Sequence, residues 1–151
     1  MTETKWLDAD ESQAWRSYIE ATIRVQNACT TALQAATGLT LDDYGILVAL
    51  SEAPEHRVRM SELADMVFAS PSRLTYRIDR LVKMGYICRS ACPEDGRSSY
   101  AVLTPAGVEG LEAASHHHVA NVREFLLDVV TPAELAALGI TLEKVANALR
   151  P

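Results

Sequence analysis

The spacing of hydrophobic residues predicts a helix in the middle of the chain, between Ser70 and Gly85. Leu74, Ile78 and Leu81 recur at intervals of three or four residues and would form one buried stripe. Ser70, followed by a proline, is a typical helix start, and Gly85 is a typical helix stop. The opposite face of this helix is polar and rich in arginine.

The segments on either side of this helix extend the pattern. Ser61 can cap a shorter helix that ends near Phe68. After Gly85 the hydrophobic period changes to two, which predicts strands at 86–89 and 99–103 joined by a turn-rich segment with Asp95 and Gly96 at its tip. Two helices followed by a hairpin form a winged helix-turn-helix, whose second helix fits the major groove of DNA. A helix whose arginines are merely solvated is the alternative interpretation.

Two helices are predicted before this region. Asp10 with Gln13 can cap a first helix that runs to about Thr37, and Thr40 with Asp43 can open a second. A short strand is expected around residue 58. The first helix carries a seam of mixed polarity at spacings of three and four, made of Trp15, Ile19, Thr22, Gln26, Cys29, Leu33 and Ala36. Such a seam suits a face that meets another helix and borders a cavity.

Two further helices are predicted after the hairpin. Thr104 can cap one that extends to about Val130, and Thr131 with Glu134 forms a capping box for the next. The last helix has a heptad stripe of Leu135, Leu138, Leu142, Val145 and Leu149. Because such a stripe needs a partner helix, we predict a dimerisation lobe, 1–39 and 104–151, beside a DNA-binding lobe, 40–103, in a single domain. The alternative is a monomer in which every helix packs on one core.

Composition and charge refine this interpretation. The chain has 151 residues, of which 48% are hydrophobic, and this predicts one folded domain. No apolar run approaches the roughly 18 residues of a membrane span, so we expect a cytoplasmic protein without a membrane partner. The net charge is −6, but between Arg57 and Tyr100 eight basic residues outnumber five acidic ones. Positive charge is therefore concentrated where DNA binding is predicted.

The central motifs also resemble a known family. The run Asp95-Gly96-Arg97, followed by Leu103 to Gly107, resembles the wing signature of the MarR (multiple antibiotic resistance regulator) family, and Met60–Ala64 with Arg77–Ile87 is similar to its helix-turn-helix. The resemblance implies a mainly α fold with a small β-hairpin wing and terminal dimerisation helices. It also implies a homodimeric transcription regulator, a repressor, that binds a palindromic DNA operator and responds to a ligand or an oxidant.

The predicted DNA surface is the outer face of the central helix and the wing. Arginine can bridge guanine, and hydroxyl groups can reach bases or phosphates. The residues near the helix start are Ser70, Ser72, Arg73, Thr75, Tyr76 and Arg77, and those expected on phosphates are Arg80, Lys83 and Arg89. By resemblance, Arg97 enters the minor groove and Asp95 orients it; from the residues alone, the two could form a salt bridge that only shapes the turn.

A small aromatic or amphipathic effector is expected between the two lobes, where this family tends to bind its effectors. Its predicted pocket is lined by Trp15, Thr22, Gln26, Tyr44, His117 and His118. Consecutive histidines at 116–118 point about 100° apart on a helix, whereas helical metal sites use spacings of three or four. We therefore predict solvated or pocket-lining histidines and no metal.

Two alternatives to an effector-responsive regulator stay open. Cys88 and Cys92 lie beside Arg89 and could sense oxidation, although Cys29 fits a buried position and the start of the first helix lacks the cysteine of peroxide-sensing relatives. A winged helix can also serve as a protein-interaction module, which would lack salt-dependent duplex binding. The sequence has no phosphate-binding glycine loop, nucleophile elbow or catalytic metal spacing, so we predict neither an enzyme nor a cofactor.

Overall fold

The computed structural model describes residues 3–92 and 99–150. The helices are α1 (Ala9–Thr37), α2 (Leu41–Glu52), α3 (Met60–Met66), α4 (Pro71–Lys83), α5 (Pro105–Val122) and α6 (Pro132–Ala148). The strands are β1 (Arg57–Arg59), β2 (Ile87–Ala91) and β3 (Ser99–Leu103). A 3₁₀ turn, Pro54–His56, precedes β1, and a π-helical turn, Arg123–Leu127, follows α5. This confirms the predicted mainly helical fold with a small β wing.

The chain divides into two compact units. The terminal unit contains Met1–Cys29 and Ala120–Pro151, and the central unit contains Thr30–Val119. The central unit is larger than the 40–103 lobe predicted from the sequence. The reason is that Leu33, Leu39 and Ala114 belong to the same buried core as the helix-turn-helix. The end of α1 and most of α5 therefore pack with the central unit.

Four of the six predicted helix starts are confirmed, those of α2, α4, α5 and α6, and two are corrected. Capping boxes open α2 and α6, as predicted from their Thr-x-x-acid sequences. The predicted cap of α1 is wrong: Asp8 and Glu11 exchange the two capping hydrogen bonds there, at 2.8 and 3.0 Å, two residues before the site predicted. Ser61 does not cap α3, because the chain turns into that helix directly from β1 and places Arg59 at the cap without a side-chain bond.

The three strands form one antiparallel sheet in the order β1-β3-β2. Val58 pairs with Ala101 and Ile87 pairs with Leu103, and all four side chains are buried in the central core. The strand predicted around residue 58 is thus confirmed. The sheet also meets α5 closely, since a Cβ added at Gly107 would lie 2.1 Å from the carbonyl oxygen of Tyr86. Position 107 therefore has no room for a side chain, and only glycine fits there.

Helix α4 is fixed by its apolar stripe. Leu74, Ile78 and Leu81 are at most 1% exposed and pack in the core of the central unit. Ser70 caps the helix by accepting the Arg73 N–H at 3.4 Å, as predicted. Its apolar face is thereby turned inward and its polar face outward.

No single helix of the described residues is long and apolar enough to cross a membrane. One sharply bent pair, Pro105–Leu127 with Pro132–Ala148, meets the criteria of length and composition only when the two helices are taken together.

Candidate nucleic-acid interface

The exposed face of α4 presents hydroxyl groups and one unburied cation near its N-terminus. Ser70, Ser72, Arg73 and Tyr76 are exposed, with 68% of the Tyr76 surface accessible. Thr75 is also exposed, but its hydroxyl donates to the Pro71 carbonyl at 2.9 Å. Further along the helix, Lys83 is exposed as well. This face can donate to phosphates and base edges.

The Arg77 side chain is turned away from solvent and towards the start of α2. Its guanidinium donates to Asp42 at 2.8 Å, to Asp43 at 3.3 Å and to the Thr40 hydroxyl at 2.7 Å. Only 23% of the side chain is exposed. The sequence prediction placed Arg77 among the base-reading residues, and this role stays a prediction. In the structure its donors are directed at the start of α2.

Arg80 makes a similar link. It donates to Asp43 and to the carbonyl oxygen of Gly38, at the end of α1. Asp43 is fully buried, so its carboxylate needs positive partners inside the protein. This requirement explains why two arginines of α4 turn inward. The phosphate contact expected of Arg80 stays a prediction. The sequence analysis assigned Asp43 only a capping role. The signal that would have suggested this link is the presence of acidic residues at the start of one helix and arginines on the outer face of another.

Arg89 joins the wing to α4. Its guanidinium donates to Asp79 at 2.7 Å, and both side chains are partly exposed. Arg89 is therefore held beside the recognition helix while remaining accessible to solvent. Asp95 and Arg97, the predicted wing-tip pair, lie outside the described residues.

At the other edge of the sheet, β1 and β3 bring cations and an aromatic ring together. The guanidinium carbons of Arg57 and Arg59 lie 5.3 and 5.7 Å from the centre of the Tyr100 ring. Arg59 also donates to the Tyr100 hydroxyl at 3.2 Å. This cluster cannot be predicted from local sequence patterns, because only the pairing of β1 with β3 brings residues 57–59 next to residue 100.

The residues of the predicted effector pocket are divided between the two units. Trp15, Thr22 and Gln26 belong to the terminal unit, with Trp15 58% exposed. In the central unit, the rings of Tyr44 and His118 are 4.4 Å apart, and burial lowers the pKa of His118. His117 is exposed. The effector pocket stays a prediction.

The cysteines and histidines show no assembled redox or metal centre in the described part of the chain. Cys29 and Cys92 are buried and Cys88 is exposed. Burial raises the pKa of the Cys29 thiol, which keeps it in its unreactive protonated form. Across residues 3–92 and 99–150, no three side chains of the metal-binding types are grouped so as to hold an ion.

Comparison with known proteins identifies the family. Residues 37–98 match the sequence model of the MarR family. The crystal structure of Sco3205, a MarR family transcriptional regulator from Streptomyces coelicolor in complex with DNA, is 39% identical to this chain, covers 98% of it and 93% of its own chain, and superposes with a TM-score of 0.91. The chain belongs to the MarR family.

Other MarR family structures agree with this assignment. AbsC, a MarR family transcriptional regulator from Streptomyces coelicolor, is 39% identical, covers 97% of this chain and 99% of its own, and gives a TM-score of 0.88. A MarR mutant from E. coli complexed with operator DNA, at 22% identity over 92% and 99% of the two chains and a TM-score of 0.78, shares the fold. No curated protein matches the sequence. This MarR family member is a transcriptional regulator and not an enzyme, as predicted.

Proposed function

We propose that this MarR family protein is a sequence-specific DNA-binding regulator that binds a palindromic operator as a homodimer. The observation that carries the proposal is the outward face of α4, where exposed hydroxyl groups and Arg73 surround the N-terminal turns of a helix whose other face is buried. Sco3205, which shares the fold and 39% of the sequence, is itself seen with DNA. The residues proposed to contact DNA are now Ser70, Ser72, Arg73, Thr75, Tyr76, Lys83, Arg89 and, at the wing tip, Asp95 and Arg97.

The test is selection of duplexes from a randomised pool, followed by titration at several salt concentrations. The logarithm of the binding constant should fall linearly with the logarithm of salt, with a slope of about −0.9 for each phosphate neutralised. Arg73→Ala should lose about 1–3 kcal/mol of discrimination at one base position. Arg24→Ala is the matched control, because Arg24 is an exposed arginine of the terminal unit paired with Glu20. If no sequence is enriched, the proposal fails.

Homodimer formation is supported by the terminal unit taken by itself. No residue of α6, which the structure describes in full, is buried, although Leu138, Leu142 and Val145 lie along it. Trp15 and Ile23 of α1 are likewise more than half exposed. A lone chain would leave these side chains in water, so we propose that a second copy covers them. Two recognition helices related by a twofold axis would then read half-sites about 34 Å apart.

We also propose that the dimer acts in the cytoplasm as a repressor. A small aromatic or amphipathic effector would lower its affinity for the operator. An operator-bound dimer occupies DNA that a polymerase would need, which favours repression. Two contacts in the central unit support the effector proposal. The Tyr44 and His118 rings lie 4.4 Å apart in a tilted arrangement, and the Tyr44 and Ser115 hydroxyls share a hydrogen bond of 3.2 Å. A reporter gene behind the selected operator, measured with and without the protein, tests repression; ligand-induced release of the duplex tests the effector.

A further inference from the structure

The turn between α3 and α4 contains a phenylalanine where a glycine is usual. The Ala69 N–H donates to the Ala64 carbonyl at 2.9 Å, and the Phe68 N–H donates to the Asp65 carbonyl at 3.2 Å. These two bonds form a Schellman motif that ends α3, and Phe68 occupies its left-handed position with φ +53°. Glycine adopts this conformation without strain, whereas a residue with a Cβ does not.

No part of the chain that the structure describes compensates for this strain by covering the ring. Phe68 is 97% exposed, although its neighbours Val67 and Ala69 are partly buried against the core. A groove of about 430 Å³ between α2 and the helix-turn-helix passes beside Phe68 and leaves its ring in solvent. An exposed aromatic ring in a strained backbone position is therefore unexplained by the stability of the chain alone.

The position of Phe68 indicates which binding partner would cover its ring. The residue stands two positions before Ser70, the cap of α4, and next to the polar face that carries Ser72 and Arg73. The N-terminal end of a recognition helix is the end that reaches base edges. Since the surrounding face is hydroxyl-rich and cationic, its polarity matches DNA better than an apolar protein partner.

We propose that Phe68 reads the operator by packing its ring against a thymine 5-methyl group at the edge of each half-site. That methyl is the apolar group which base pairs expose in the major groove, and contact with phenylalanine is one of the ways in which it is recognised. This inference rests on the proposed DNA binding by α4 and adds to it an apolar contact from outside the helix.

The test uses the full-length protein and the duplex that the wild type selects. Phe68→Gly relieves the backbone strain and removes the ring, so its melting temperature should equal or exceed that of the wild type. Its affinity for the selected duplex should fall by about 5- to 100-fold, as expected for one lost base contact, with little change on random duplex. Phe68→Asn, which tolerates the same backbone conformation and carries a polar side chain, should show the same loss.

Two controls separate the contact from other effects. His56→Gly removes the same left-handed strain, φ +53°, at a residue outside the proposed interface and should leave DNA binding unchanged. Replacing single thymines of the selected duplex by uracil, which lacks the 5-methyl group, should weaken wild-type binding at one position per half-site. The same replacement should have no effect on Phe68→Gly at that position.

The outcomes decide between the inference and its alternatives. If the wild type enriches no sequence, the proposed function fails and this inference fails with it. If the wild type does select an operator, Phe68→Gly binding with unchanged affinity, equal losses on selected and random duplexes, or indifference to every uracil replacement would each overturn the thymine contact. A Phe68→Gly protein that changes its oligomeric state in light scattering would instead assign the ring to a contact between copies.

Discussion

The buried carboxylate of Asp43 offers a direct test of how the recognition helix is held. The Asp43 carboxylate is fully buried and accepts hydrogen bonds from Arg77, from Arg80 and from the N–H and hydroxyl of Thr40. Asp42, its neighbour, also pairs with Arg77, at 2.8 Å, but 65% of its side chain is exposed. The two aspartates thus form a matched pair for comparison: both pair with Arg77, but Asp43 is buried and Asp42 is exposed.

The expected cost of Asp43→Ala follows from this burial. Breaking a buried ion pair by removing one partner costs about 3–5 kcal/mol, because the remaining charge is left without compensation. Here the two arginines keep 23% and 32% exposure and can regain some water, which favours the lower end of that range. Loss of the reciprocal bonds with Thr40 at the start of α2 adds about 1 kcal/mol. We therefore expect about 4 kcal/mol for Asp43→Ala and about 0–1 kcal/mol for Asp42→Ala, as for other exposed ion pairs.

The measurement is urea unfolding followed by far-ultraviolet circular dichroism at one fixed protein concentration. Tryptophan fluorescence is unsuitable because Trp6 and Trp15 both lie in the terminal unit. With a slope of about 1–3 kcal/mol per molar urea, the two variants should have midpoints more than about 1 M apart. An unfolding free energy for Asp43→Ala within about 1 kcal/mol of that for Asp42→Ala would refute the claim that the buried carboxylate holds α4. Arg80→Ala in the Asp43→Ala background should cost much less than it does alone, since the two residues share one interaction.

Three further predictions concern other parts of the molecule. Gly107→Ala should destabilise the protein by about 1–3 kcal/mol or more in thermal melting, because the new methyl meets the Tyr86 carbonyl, whereas Gly45→Ala, with open space around it, should be neutral or stabilising. Leu142→Glu should lower the molar mass measured by light scattering towards that of one chain, and an unchanged dimer would move the proposed interface away from α6. Burial lowers the pKa of His118 below its usual 6.5, so the unfolded chain binds more protons there and stability should fall as the pH drops through about 6.5. His118→Gln should reduce that fall relative to His117→Gln, and equal pH profiles would contradict it.

Much of the local structure was determined by the sequence alone. The stripe of Leu74, Ile78 and Leu81 with the Ser70 cap defines α4, and Thr-x-x-acid boxes define the starts of α2 and α6. These features are local, since each depends on residues within one or two helical turns. The order of helices and strands followed from them, and with it the winged helix-turn-helix and the family.

The tertiary structure decided which arginines on the polar face of α4 remain exposed and free to contact DNA. On a helical wheel Arg73, Arg77 and Arg80 all belong to one polar face, and helical periodicity does not distinguish them. Folding brings the start of α2 against that face and buries Asp43, whose charge draws Arg77 and Arg80 inward and leaves Arg73 outside. The strain at Phe68 is similarly a tertiary outcome, because α3 must end there for α4 to turn onto the core. Electrostatic pairing between distant segments depends on burial, and burial is a property of the assembled core that helical periodicity does not encode.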